Sequence, residues 1–204
     1  SKIKIIIAPH MYGVPISLKK KGGVKIIEDC CQSLGAKINN KYTGLIGDCG
    51  VLSFYTTKLI TSGGHGGAVI SKNKKIIDKI KDFLNFDQRF DNKNRFNFLM
   101  TDTQAAIGIE QLKKYPKFLK KREKIYNIYK KNGLKLLEEK KNNNKPERYR
   151  ALLYTKNQKK IIEKLKKNKI NSINPLKQSE LLEKKNKKKF PNSLKFTRNL
   201  VSLP

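Results

Sequence analysis

The feature that most constrains this fold is a set of short apolar runs rich in β-branched residues, each ended by proline, glycine or polar residues. The runs lie at 3–8, 24–27, 51–55 and 68–70, and glycine-rich turns at 22–23, 44–50 and 63–67 separate them. None alternates strictly between apolar and polar positions, which is typical of strands in a sheet covered on both faces. The pattern predicts an α/β fold with a mostly parallel sheet and helices on both faces.

Two longer segments have the spacing of amphipathic helices. Apolar residues recur every three or four positions over 73–86. The stronger helix prediction covers 102–129, where Thr101 or Asp102 can cap the first turn. Pro116 lies inside this segment, so we expect the helix to kink or to split there.

The character of the chain changes after about residue 133. A polar stretch at 138–145 predicts a linker, followed by a strand at 149–155, a helix at 157–167 and a short strand at 169–173. The lysine-rich run at 184–189 predicts a solvated face or a loop. We therefore divide the chain into a large domain, residues 1–134, and a small α/β domain, residues 135–204.

The net charge of +31 comes from 47 Lys and Arg residues against 16 Asp and Glu residues. Taken alone, such a charge favours nucleic acid or an anionic membrane as a partner. Only six of the cations are arginine, the residue that base readout and bidentate phosphate binding prefer. The lysines are also spread along the chain among many Asn and Ile residues. Compositional drift is therefore favoured, and a basic nucleic-acid-binding protein stays as an alternative.

The cysteines and the apolar runs indicate the cellular environment. Cys30, Cys31 and Cys49 form no regular spacing, which argues against a disulfide framework and favours a reducing compartment. Because there is no C-x-x-C pair, we expect no metal site built with His10 or His65. No apolar stretch approaches twenty residues, so we expect no membrane span and a cytoplasmic location.

Two of the predicted strands end in groups that can bind a ligand or take part in a reaction. Glu28 and Asp29 close the second strand, where α/β folds place ligand-binding groups. The third strand leads into a hydroxyl cluster and Lys58, and a glycine-rich turn follows at 62–67. Hydroxyls and backbone N–H groups there suit a phosphate, and a lysine beside them can bind it or form a Schiff base. The alternative is that Lys58 is an ordinary lysine and Asp29 merely ends a strand.

Several motifs, in order and spacing, resemble those of the DegT/DnrJ/StrS-type sugar nucleotide aminotransferases. They lie at 28–36, 47–48, 53–58, 66–69, 95–98 and 100–108, with further landmarks at 10–13, 190–192 and 203–204. The resemblance implies part of a fold-type-I pyridoxal-phosphate transferase large domain, followed by part of the C-terminal small α/β domain.

The resemblance also implies roles for five residues. Lys58 would carry pyridoxal 5′-phosphate and shuttle a proton to and from the substrate carbon. Asp29 would pair with the pyridine nitrogen, and Gln32 would lie near the ring. Ser53 would bind the cofactor phosphate. Asn97 would reach the phosphate of the neighbouring subunit's cofactor, which implies a homodimer with shared active sites.

The expected reaction is transamination, because relatives that dehydrate sugars carry histidine where this chain has Lys58. The implied substrates are a nucleotide-linked keto sugar and glutamate as amino donor, for amino-sugar and polysaccharide biosynthesis. Tyr12, Tyr55 and His10 are weaker candidates for lining the site, and core packing is favoured for the two tyrosines. His65 is expected to be a turn residue.

The family resemblance covers only part of a subunit. Relatives have a section before the equivalent of Ser1, with a small-residue phosphate loop and an aromatic residue that stacks on the cofactor, and they continue beyond Pro204. We therefore expect a fragment, a domain of a split gene or a decayed copy. A catalytically inactive remnant of the family is accordingly the first alternative to an active aminotransferase.

Overall fold

The fold is that of a computed structural model, which describes residues 3–19, 22–138, 143–181 and 190–204. The chain has two compact units. The first comprises Ser1–Lys121 with Lys141–Tyr149, and the second comprises Arg122–Lys140 with Arg150–Pro204. Each unit contains strands that pair among themselves.

The strands of the described residues are two to five residues long. In chain order they are β1 (Ile5–Pro9), β2 (Lys25–Asp29), β3 (Lys37–Ile38), β4 (Lys41–Tyr42), β5 (Cys49–Ser53), β6 (Gly67–Ile70), β7 (Asn144–Lys145), β8 (Ala151–Tyr154) and β9 (Leu200–Leu203). The four strands predicted for the first part of the chain are confirmed as β1, β2, β5 and β6. Their ends differ from the predicted ends by at most two residues.

The main sheet of the first unit has the strand order β1-β2-β5-β6. β1, β2 and β5 are parallel, with Ile7 opposite Ile27 and Ile27 opposite Cys49, and β6 is antiparallel to β5. The sheet is therefore mixed. Gly50 lets β5 pass close to the preceding turn, since a Cβ atom there would lie only 2.3 Å from the Cα of Gly44.

A second, three-stranded sheet of the first unit has the order β4-β3-β7. Asn39 and Asn40 join β3 to β4 with φ angles of 49° and 62°. Two-residue hairpin turns require this left-handed conformation, and asparagine tolerates it better than most residues. β7 lies within the stretch predicted as a linker at 138–145, so that prediction is wrong at 144–145, where the backbone pairs with β3.

Four α-helices occur in the described residues: α1 (Lys74–Leu84), α2 (Asp102–Lys131), α3 (Gln158–Lys167) and α4 (Pro191–Asn199). None of them combines the length and apolarity needed to cross a bilayer. The helices predicted at 73–86, 102–129 and 157–167 are confirmed as α1, α2 and α3. Thr101 caps α2: its hydroxyl accepts from the N–H of Gln104 at 3.3 Å, and the Gln104 amide oxygen accepts from the Thr101 N–H at 3.0 Å.

The proline within α2 does not split the helix, which runs without a break for 30 residues. Pro116 removes one backbone hydrogen bond, but its neighbours are anchored on both sides. Tyr115 is buried in a core cluster with Leu59 and Ile60, and Phe118 packs against the same cluster. This burial holds the segment of α2 around Pro116 in place.

The second unit is built on β8 and β9, which pair antiparallel with Leu152 opposite Ser202. β8 confirms the strand predicted at 149–155. The strand predicted at 169–173 is wrong: Lys169 takes a left-handed φ of 59°, and Ile173 alone forms a bridge, to Ser202. α4 and β9 were not predicted, and the lysine run at 184–189 lies outside the described residues.

Candidate active site

The parallel strands bring candidate residues to one edge of the main sheet. β1, β2 and β5 lie side by side and end at Pro9, Asp29 and Ser53. Pro9 is opposite Asp29, and Asp29 is opposite Val51, two residues before Ser53. These three strand ends, which we call the carboxyl edge, are where open α/β sheets bind ligands.

Asp29 is held in position by the backbone that follows it. Its side-chain Oδ1 accepts a hydrogen bond from the Cys31 N–H at 3.0 Å, and its backbone carbonyl accepts from the His10 N–H at 3.0 Å. Burial, together with a hydrogen bond to Asp29, raises the pKa of the Cys31 thiol to about 12. The thiol therefore stays protonated. Both the thiol and the backbone N–H of Cys31 can then donate to the half-buried Asp29 carboxylate.

Lys58 lies in a turn directly beyond β5, on the same edge. Its N–H donates to the Tyr55 carbonyl at 2.9 Å, and the Phe54 N–H donates to the Gly66 carbonyl at 2.8 Å, which closes the turn against the glycine-rich segment. Lys58 is half-buried. The positive charge of Lys58 lowers the pKa of the Cys31 thiol, but burial and Asp29 raise that pKa by more. Lys58 is thus within electrostatic reach of the Cys31 thiol at the carboxyl edge.

The hydroxyl and the amide predicted to contact a ligand are also ordered. The Ser53 hydroxyl accepts from the Tyr55 N–H at 3.4 Å. Because Ser53 is the acceptor in this bond, its own hydroxyl proton is available to a ligand. The Gln32 side-chain oxygen accepts from the Tyr12 N–H at 2.7 Å, where Tyr12 has a left-handed φ of 58°. This bond fixes Gln32 three residues after Asp29.

The aromatic and histidine candidates have different environments. Tyr55 is 43% exposed, and its ring lies 5.3 Å from that of the exposed His65 in the glycine-rich turn. Core packing is therefore wrong for Tyr55, and His65 lies in an irregular segment directly before β6. Tyr12 is half-buried, and His10 is 1% exposed.

Asn97 lies on a different part of the first unit from the other four candidates. It is exposed in the irregular segment between α1 and α2. Arg95 anchors that segment, with ion pairs to Asp82 at 2.9 Å and to Asp91. Hydrogen bonds from Arg95 lower the pKa of both carboxyl groups, so the ion pairs of Arg95 stay formed at acidic pH.

A buried pair beneath the carboxyl edge was not predicted from the sequence. Glu28 is 3% exposed and accepts from the His10 Nε2 at 3.0 Å and from the N–H groups of Ile46 and Gly47 at 2.8 and 2.6 Å. Burial opposes ionisation of Glu28, but these hydrogen bonds outweigh it, so its pKa is lowered. The sequence signal was a carboxylate inside a buried strand, which requires partners.

The same pair forms a cluster of potential metal ligands with Cys30. The hydrogen bonds argue for a different role. The His10 Nδ1 accepts from the Ile16 N–H at 3.0 Å, so the ring proton lies on Nε2, and Nε2 donates to Glu28. Burial raises the pKa of the Cys30 thiol to about 11. In this arrangement both ring nitrogens of His10 and the Glu28 carboxylate take part in hydrogen bonds within the protein, so the cluster supports the edge.

The fold and the site define a class: α/β proteins with a lysine, a carboxylate and a hydroxyl at the carboxyl ends of parallel strands. The match to the DegT/DnrJ/EryC1/StrS aminotransferase family extends over residues 1–204. The chain belongs to this family, whose members depend on pyridoxal phosphate.

Relatives of known name or structure agree with this assignment. GDP-perosamine synthase from Escherichia coli O157:H7 is 34% identical over 143 residues, which cover 65% of this chain and 39% of that enzyme. A DegT DnrJ EryC1 StrS aminotransferase from Brucella abortus has the same fold, with a TM-score of 0.86 at 24% identity, over 97% of this chain and 58% of that one. Spr1654 from Streptococcus pneumoniae, in its PLP form, gives a TM-score of 0.83 at 20% identity, over 98% and 63%.

The chain thus spans about two fifths of the E. coli relative and about three fifths of the two solved chains. The chain shares the fold of these solved structures, which is the fold of fold-type-I pyridoxal-phosphate enzymes.

Proposed function

We propose that this chain is part of an enzyme that uses pyridoxal phosphate to transfer an amino group from glutamate to a nucleotide-linked keto sugar. The observation that carries the proposal is that Asp29, Ser53 and the turn that holds Lys58 all lie at the carboxyl ends of the neighbouring parallel strands β2 and β5. The name of the E. coli relative, GDP-perosamine synthase, supports a nucleotide-linked amino sugar as product.

The donor set of the site fits the proposed cofactor. The Lys58 amine can hold its aldehyde, the Asp29 carboxylate can pair with its pyridine nitrogen, and the Ser53 hydroxyl can donate to its phosphate. When bound, the cofactor supplies an electron sink that makes the hydrogen on the amine-bearing carbon acidic.

The residues of the chain position the reactants and move the proton. Asp29, fixed by the Cys31 N–H, presents a negative charge in a defined direction. Lys58 would act as the base that takes a proton from one carbon and returns it to another. Gln32, held by the Tyr12 N–H, limits the space beside Asp29.

Asn97 acts across a subunit interface in this proposal. Its exposed position between α1 and α2 leaves it available to a second copy of the chain. The active unit would be a cytoplasmic homodimer in which Asn97 contacts the cofactor phosphate of its neighbour.

Cofactor trapping tests the proposal directly. The purified chain is mixed with pyridoxal phosphate, reduced with borohydride and digested, and the modified lysine is located by mass spectrometry. We expect the label on Lys58, with loss of that label in Lys58→Ala and a weaker label in Asp29→Asn. Lys75→Ala, at an exposed lysine on α1, is the matched control and should keep the label. Glutamate added before the reduction should decrease the label.

The second candidate is a catalytically inactive remnant of the family. It predicts label scattered over many lysines and no effect of glutamate. That result would overturn the proposal for this chain.

A further inference from the structure

The second unit contains a cavity of about 620 Å³ whose wall is strongly basic. Five of its ten lining residues are cations: Lys156, Lys159, Lys160, Lys177 and Arg198. None of these ten residues is acidic. The volume lies in the range of small-molecule sites, roughly 300–1,000 Å³.

The wall of the cavity includes the N-terminus of α3. Asn157 precedes the helix without a capping hydrogen bond from its side chain, and the first turn contains no acidic residue. The first backbone N–H groups of a helix have no partner within the helix. Here they lie among lining residues 156–160, so N–H donors and ammonium groups share one wall.

The start of α3 is rigidly attached to the rest of the unit. Gln158 is 8% exposed, and its amide nitrogen donates to the carbonyls of Thr197 at 3.2 Å and Leu200 at 2.5 Å. Asn174 also donates to the Thr197 carbonyl, at 3.1 Å. These bonds join α3, α4 and β9, so the cavity wall is built before any ligand arrives.

The cations of the wall are not neutralised by the protein that surrounds them. Among the residues that the structure describes, none of the five forms an ion pair. Lysines in the first turn of a helix also oppose the positive end of the helix dipole. All five cations are exposed, so an anion bound among them would meet their charges and the positive end of the helix dipole together.

The first turn of α1 shows how the same residue type is accommodated elsewhere. Lys74 and Lys75 begin that helix, but the Asn73 side chain caps it by accepting from the Lys75 N–H at 3.0 Å. Lys74 forms an ion pair with Asp78 at 2.7 Å. α1 therefore provides a matched comparison for the uncapped basic start of α3.

We infer that the basic cavity of the second unit binds a small molecule that carries a diphosphate group. Ammonium and guanidinium groups with uncapped helix N–H groups are the donors that phosphate oxygens prefer. No lining residue is aromatic, so the wall offers no platform on which nucleic-acid bases could stack. The inference concerns the second unit alone and does not depend on the chemistry of Lys58.

Calorimetric titration of the full chain with inorganic pyrophosphate at fixed ionic strength tests this site. The triple variant Lys156→Gln, Lys159→Gln, Lys160→Gln removes three charges from the wall. Its control, Lys74→Gln, Lys75→Gln, Lys79→Gln, removes three charges from the start of α1. We expect the dissociation constant to rise about tenfold or more in the first variant and less than about twofold in the control.

A single variant on another element gives an independent check. Arg198→Gln lies on α4 and leaves α3 unchanged, and we expect it to weaken pyrophosphate binding several-fold. Circular dichroism establishes that each variant is folded. The titration contains neither pyridoxal phosphate nor borohydride, so its outcome is separate from that of the trapping experiment.

Two results would overturn the inference. One is an equal loss of affinity in the two triple variants, which would show a response to total charge. The other is that the chain binds a DNA or RNA oligonucleotide but not pyrophosphate, which would show that this basic surface binds nucleic acid and not a small diphosphate.

Discussion

Glu28 and Asp29 are adjacent carboxylates at the end of β2, and they have different environments because side chains alternate across a strand. Glu28 points into the core, where His10 and backbone N–H groups surround it. Asp29 points to the carboxyl edge, where it is half-buried and accepts from the Cys31 N–H. One residue therefore supports the edge, and its neighbour is available to a ligand.

The lowered pKa of Glu28 predicts how the stability of the chain depends on pH. Ionised Glu28 stabilises the folded state above the unfolded-state pKa of 4.5, and this contribution is lost as the pH falls through the lower, folded-state value. In Glu28→Gln we expect the free energy of unfolding at pH 7 to fall by roughly 1–3 kcal/mol, because buried donors lose a charged acceptor. Urea denaturation between neutral and acid pH measures both effects.

The control for this variant is Glu110→Gln on α2. Glu110 is exposed and pairs with Lys113 at 2.6 Å, and that hydrogen bond lowers its pKa as well. Solvent screens the pair, so we expect little change in stability. Equal pH profiles for wild type and Glu28→Gln would contradict the buried-pair argument.

At the residue scale, the sequence predicted positions better than partnerships. Asp29 and Lys58 were found by their motifs, and the parallel register brings their strand ends to one edge. The Glu28–His10 pair was missed because its two residues lie 18 positions apart in the sequence, and no local pattern reveals a contact over that separation. The role of Asn97 stays a prediction, since it rests on a second subunit.

At the scale of the elements, α2 shows how packing overrides local propensity. A proline inside a helix costs about 3 kcal/mol or more, yet α2 continues through Pro116 because Tyr115 beside it is buried and Phe118 packs against the same core cluster. Tyr115 is 6% exposed, whereas Pro116 itself is exposed. The sequence indicated the penalty correctly but not the tertiary contacts that outweigh it.

This account predicts that Pro116→Ala stabilises the chain. The variant restores a backbone hydrogen bond in α2 and relieves the clash of the proline ring, while it loses about 0.4–1 kcal/mol of the stabilisation that proline gives by restricting the unfolded chain. We expect a net gain of about 1–3 kcal/mol in urea denaturation. Lys117→Ala, at the next exposed position, should change stability by less than about 0.5 kcal/mol. A loss of stability in Pro116→Ala would show that α2 needs the proline geometry.

Short elements were the hardest to predict, and the reason differs among them. The Asn39–Asn40 turn between β3 and β4 had a local signal, since both residues tolerate a left-handed φ. β7 had none, because its two residues become a strand only by pairing with β3. β9 likewise takes its place through pairing with β8.

At the scale of the whole molecule, a large net charge and an exposed apolar strand act in opposite directions. The charge of +31 makes copies of the chain repel one another. Ile5 and Ile7 lie on one face of β1 and are 56% and 65% exposed. In the described part of the chain β1 pairs only with β2, so it is also an edge strand, and such edges associate readily.

The balance between these two effects predicts self-association that increases with salt. Raising the salt concentration from about 0.01 M to about 1 M shortens the screening length from about 30 Å to about 3 Å, which removes the repulsion and leaves the apolar face unopposed. Sedimentation velocity should therefore show larger species at high salt. Ile7→Lys should suppress them, because it puts a charge on the β1 face. Leu112→Lys adds the same charge on α2, at a side chain that is 54% exposed, and should have little effect. Equal suppression by both variants would mean that net charge alone controls association and that β1 is not the contact surface.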